Sequence, residues 1–163
     1  MSYSLKPKLL FIFLVTLSIS GWTQTEFPIR PEPRLTVGSL CSTPIELRYP
    51  EQIPYCDRDE LTTHQKVGVM ARYRRAGYRL PLEQRQDYKI DHYIPLCAGG
   101  SNRDDNLWPQ HLSIAEITDP IEELACQKLA AGRISQRDLV RFIMAVKNNL
   151  SSASRVSNEL ERL

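Results

Sequence analysis

The chain has 163 residues, 42% of them hydrophobic and 25% charged, and carries four cysteines. That suits one modest globular domain and excludes a repeat array or a low-complexity fibre. A formal net charge of +2 gives no global field to attract nucleic acid, so any phosphate binding must come from a local patch.

Residues 1–20 read as a secretory signal peptide. Lys6 and Lys8 form a positive start, Leu9 to Ile19 is apolar and uncharged, and Ser18-Ile19-Ser20 offers a small-x-small cleavage site. The alternative is a membrane anchor, but the apolar run falls short of the roughly 20 residues a spanning helix needs. No cysteine follows it directly, which disfavours a lipoprotein. Cleavage would leave 19 basic against 19 acidic residues, a neutral mature chain, placed in the periplasm or outside the cell with no stable membrane association.

Residues 21–40 are polar and contain Pro28, Pro31 and Pro33, an extended leader with little core. A domain over 41–150 follows, with a polar tail over 151–163 that is expected to fray. Cys41, Cys56, Cys97 and Cys126 permit three pairings. Cys41–Cys56 with Cys97–Cys126 is favoured, a local staple plus a tie to the next helix. No C-x-x-C pair supports a zinc site.

A first helix is expected over about 60–76, with Gly77 as its left-handed C′ residue and Leu61, Met70 and Tyr73 facing inward. Its end is basic. Arg72, Arg75 and Arg79, interleaved with Tyr73 and Tyr78, are candidates for substrate phosphates, since guanidinium groups match phosphate oxygens. The plainer reading is a solvated helix end with cations on the favourable pole of the dipole. Thr118-Asp119-Pro120 predicts the start of a second helix, with Asp119 as cap and Pro120 at its first position, ending at Gly132. Ser135 and Asp138 predict a capping box for a last helix over 136–149, with Leu139, Phe142, Ile143 and Val146 as its core face.

Between these helices lies the stretch that carries chemistry, Tyr88 to Gln110. Asp91 and His92 end a short apolar-alternating run, Pro95 stops strand pairing, and Gly99-Gly100 supplies a turn. Asn102 and Asn106 can each hold a loop through backbone bonds, and Trp108 reads as core beneath it. The pattern D-H-x-x-P-L-x-x-G-G-x-N-x-x-x-N-L-W-P-Q over residues 91–110 resembles the HNH endonuclease family, whose core is a ββα-metal finger. The resemblance covers about twenty residues tightly.

It implies a small disulfide-braced α+β fold, helices around the finger, acting as an exported metal-dependent endonuclease on DNA, possibly RNA, with little sequence specificity. It also implies His92 as general base, Asp91 as an oxygen ligand to a divalent metal (Mg²⁺ first, Mn²⁺ or Zn²⁺ as alternatives), and Asn106 as the residue that orients His92 and braces the loop. The chain departs from the pattern in one place. Many family members carry a His or Asn about eight residues beyond the middle Asn, where this sequence reads Ser113-Ile114-Ala115-Glu116. His111 is the nearest substitute for the metal shell, and a capping histidine is its equal alternative. Two other classes stay open: an inactive nucleic-acid-binding module on the same finger, and a structural unit of an exported interaction protein.

Overall fold

The computed structural model describes residues 27–57 and 61–163. The signal-peptide expectation for residues 1–20 and the start expected for the first helix at Glu60 lie outside these residues. The fold is α+β, with four α-helices and two antiparallel two-stranded sheets among the described residues.

Strand β1 (Glu46–Arg48) pairs with β2 (Ile53–Tyr55), and helix α1 (Thr63–Arg75) follows. Strand β3 (Tyr88–His92) pairs with β4 (Leu107–His111), and helices α2 (Leu112–Ala130), α3 (Gln136–Asn148) and α4 (Ala153–Glu161) complete the chain.

The segment from β3 to α2 is a hairpin running straight into a helix. Its register pairs Tyr88 with His111 and His92 with Leu107, which places Asp91 and His92 at the end nearest the connecting loop. Pro109 sits within β4 opposite Ile90; a two-stranded sheet tolerates it because the missing N–H points away from the partner. Asn106 organises the loop from within. It is fully buried, accepts from the Ile94 amide at 2.9 Å, and donates to the carbonyls of Ile94 (3.0 Å) and Ser101 (2.9 Å). Its bonds therefore go to backbone, which fits the bracing role.

The two glycines of the loop act differently. Gly99 has φ of 81°, a left-handed conformation, whereas a Cβ on Gly100 would lie 1.8 Å from the Ile94 carbonyl oxygen. The backbone there approaches too closely for any side chain. Gly100→Ala is expected to lower stability by about 2–3 kcal/mol through forced backbone displacement, read from the denaturation midpoint; a wild-type midpoint would contradict this packing.

Helix α2 begins eight residues earlier than Pro120 suggests. His111 is its N-cap, its Nδ1 accepting from the Ser113 amide at 3.2 Å. Asp119 is no cap, and Pro120 lies inside the helix. Proline in a helix interior costs about 3 kcal/mol. Packing outweighs that cost, because Ile114, Ala115, Ile121, Ala125 and Leu129 are all buried. Ser135 caps α3 as expected, accepting from the Asp138 amide at 3.1 Å, and Leu139, Phe142, Ile143 and Val146 line its buried face.

Residues 151–163 are not a loose tail. They contain α4, whose Val156 and Leu160 are fully buried in the core formed with α2 and α3. Two apolar residues four apart suffice to dock a nine-residue helix once a partner face exists. The described part of the leader is likewise anchored: Thr36 is buried, donates to the Leu107 carbonyl at 2.9 Å and bonds the Tyr73 hydroxyl at 2.8 Å.

Helix α1 starts at Thr63 with Thr62 as N-cap, buries Val69, Met70 and Tyr73, and is followed by Gly77 at φ of 100°. Its inner face packs with Leu107, Trp108 and Ile114 as a second core cluster. Both disulfides join the pairs favoured by spacing: Cys41–Cys56 with Cα atoms 5.7 Å apart, and Cys97–Cys126 at 5.9 Å. The second ties the hairpin loop to α2.

Candidate functional site: a cleft at the end of the hairpin

His92 closes β3. Its Nε2 lies 2.9 Å from the Asn102 side-chain oxygen, and the Asn102 amide nitrogen donates to the Asp57 carbonyl. That second bond fixes which end of the amide faces the ring. An oxygen facing Nε2 makes Nε2 the donor, so the lone pair of a neutral imidazole resides on Nδ1.

Asp91 points the other way, as strand alternation requires. It is buried, 7% exposed, against the indole of Trp108, whose Nε1 donates to Oδ2 at 3.3 Å. Lys147 of α3 reaches the same oxygen at 2.6 Å. Its ammonium also donates to the His92 carbonyl at 2.6 Å and to Glu122 Oε2 of α2 at 2.7 Å. All three protons of a fully buried ammonium are thereby satisfied. Lys89, two residues before Asp91 and hence on the same face of β3, approaches Oδ1 at 3.1 Å and bonds both Asp119 oxygens at 2.7 Å.

The charges set one another. Burial pushes the Asp91 carboxyl up, but the Lys147 and Lys89 ammonium groups more than offset this and hold it below its ordinary 3.8. For Glu122 burial wins, reinforced by the Asp91 charge, and its carboxyl is raised from 4.5 despite Lys147. Burial disfavours the charged form of Lys147, and the two carboxylates reverse that, keeping it protonated. Two carboxyl groups sharing one ammonium are thus driven in opposite directions.

A cleft of about 590 Å³ opens beside this network. Its walls include Arg48, Lys66, Lys89, Asp91, His92 and Glu122. Arg48 lies over the Tyr55 ring, 3.2 Å from its centroid, at one edge, and Lys66 of α1 is an exposed cation at another.

Asp91 and His92 meet at this cleft, which the Cys97–Cys126 disulfide also lines; Asn106, His111 and the three arginines do not line it. His111 is four strand residues away, about 13 Å along the hairpin, and stacks on Phe27 with ring centroids 4.1 Å apart. Its Nδ1 is spent on the helix cap, so the capping alternative describes it. Arg72 is tied to the Asp104 backbone and carboxylate, Arg75 is exposed on the end of α1, and Arg79 lines a separate depression with Phe27 and His111. The three arginines do not line the cleft. Arg48, Lys66 and Lys89 are the cations that do.

Among the described residues no three His, Cys, Asp or Glu side chains converge as a ready-made metal cage. Mg²⁺ does not demand one, being held commonly by one or two carboxylates with waters and substrate phosphates. The hard Oδ1 of Asp91 fits that mode. Zinc, which wants three or four nitrogen or sulfur ligands, fits poorly: all four cysteines are in disulfides, and neither His64 nor His111 lines the cleft.

Sequence reasoning passed over Lys89, Lys147 and Glu122, and gave Asn102 only a loop-holding part. Position 147 falls four residues after buried Ile143, on the inward face of α3, and that spacing was the available signal. No protein-family model, curated protein or solved structure matches the chain.

Proposed function

We propose that this protein is an exported, metal-dependent endonuclease of the HNH type, hydrolysing phosphodiester bonds in DNA with little sequence preference. The observation that carries the reading is the cleft where a hairpin running directly into a helix presents His92, its Nε2 held by Asn102, next to the carboxylate of Asp91.

Hydrolysis requires that a water lose a proton as it attacks phosphorus. His92 Nδ1 carries the lone pair that accepts it, and the bond from Nε2–H to Asn102 keeps that tautomer and fixes the ring. Arg48, Lys66 and Lys89 provide charge for backbone phosphates on a chain whose net charge offers little. Asp91 is the residue that would hold a divalent cation, Mg²⁺ best by donor chemistry. Such an ion, when bound, stabilises negative charge on the phosphate and leaving oxygen. Two disulfides suit an oxidising compartment, and among the described residues no helix is long and apolar enough to cross a membrane.

The test is plasmid nicking by the oxidised protein lacking residues 1–20, with Mg²⁺, Mn²⁺, Zn²⁺ or EDTA. Cleavage with Mg²⁺ or Mn²⁺ and none in EDTA is the expected result. A folded protein that cleaves with none of these metals would overturn the nuclease reading, and cleavage undiminished in EDTA would overturn its metal dependence. A second reading has an observation in its favour: ammonium groups cover both Asp91 oxygens, as in a finger kept for binding alone. DNA retention without cleavage in the same assay would establish it.

A further inference from the structure

Asp91 has two oxygens, and they differ in what faces them. Oδ2 is enclosed by Lys147 and the Trp108 indole. Oδ1 is the oxygen on the Lys89 side, and Lys89 is a cleft residue whose side chain is one-third exposed. The Lys89 ammonium stands 3.1 Å from Asp91 Oδ1 and 2.7 Å from both oxygens of Asp119. A point charge on a flexible stem thus bridges two carboxylates on the Oδ1 side of Asp91, a cleft-lining residue.

We propose that Lys89 is a tethered competitor for the divalent cation: its ammonium holds the place on Asp91 Oδ1 that the ion must take, and the ion binds only as Lys89 leaves. This rests on the reading of Asp91 as the metal's oxygen ligand. The sequence dictates the arrangement, because residues i and i+2 of a strand share a face and Lys89 and Asp91 are so spaced. Lys147 cannot play this part, being fully buried with all three protons committed. The displaced Lys89 stays in the cleft beside Arg48 and Lys66, where a backbone phosphate is the anion on offer.

Mn²⁺ binding to the oxidised protein, followed by titration calorimetry without nucleic acid, tests this independently of cleavage. Lys89→Met and Lys89→Gln are expected to bind at least tenfold more tightly than wild type. Asp91→Asn should abolish binding in both backgrounds. Lys66→Met removes a cleft cation that makes no ion pair with Asp91, and should shift affinity less than threefold. Equal affinity in wild type and both Lys89 variants, with Asp91 still required, overturns the competition while leaving the metal reading intact. An equal gain in Lys66→Met overturns it as well, reducing the effect to net charge. Absence of any Asp91-dependent Mn²⁺ binding, even in the Lys89 variants, overturns both this inference and the metal role of Asp91.

Discussion

Lys147→Ala is expected to lower the unfolding free energy at pH 7 by about 3–5 kcal/mol, the range for breaking a buried ion pair from one side. In a domain of this size that is a fall in Tm on the order of 10 °C. The loss does not come from the methylenes alone. Removing the ammonium leaves Asp91 buried with only the indole and Lys89 near it, and leaves Glu122 and the His92 carbonyl without their donor.

Acid provides a second signature. In the wild type Asp91 has a depressed folded pKa, so its stabilisation is fully present above the unfolded value and disappears as pH falls through the lower folded one. Glu122 has a raised folded pKa and works in the opposite sense, its contribution weakening as pH rises. In Lys147→Ala burial raises both carboxyls, the folded state takes up protons more readily than the unfolded chain, and the deficit shrinks below about pH 4. Replacing all three charges together (Lys147→Met, Asp91→Asn, Glu122→Gln) should recover part of the loss. A single variant within 1 kcal/mol of wild type, unchanged by pH, would contradict the network.

For His92→Ala the expected loss is about 10²–10⁴-fold in kcat, the usual contribution of a positioned general base. The imidazole is half-buried and one ring nitrogen bonds a loop asparagine, so the stability loss should stay within about 1–2 kcal/mol. DNA retention by the folded variant should match wild type. Asn102→Ala, which removes the partner of Nε2 and keeps the ring, should lose less and should lower kcat rather than raise KM. Full activity in His92→Ala would remove this residue from the chemistry. A parallel loss of DNA binding would assign it to substrate contact instead.

Much of the helical scaffold was legible because its signals are local. Ser135 with Asp138, the 139–142–143–146 stripe and Gly77 each specify one turn of backbone, and the structure agrees at every one. Pro120 misled because a helix-start signal was read without the tertiary burial that lets α2 run through it. The 151–163 segment looked polar because a nine-residue helix needs only Val156 and Leu160 to dock. The site divides along the same line. Asp91 and His92 announce themselves as adjacent ionisable groups before a turn. Lys89, Glu122 and Lys147 join them only across elements up to 58 residues apart in the sequence, and a lysine in the last turn of a helix reads by default as a solvated dipole partner. His111 carried a suggestive spacing, yet the hairpin register puts it at the opposite end from His92.

The three charges at 91, 122 and 147 come from a strand and two different helices, and none is stable in its place without the others. Any lineage that exchanges one of them must pass through a chain with an unpaired buried charge, unless the compensating change is already present. Drift at these positions is therefore blocked singly and open only in concert. Across diverging copies of this fold, the lysine and its two carboxylates should be inherited, or lost, as a single character.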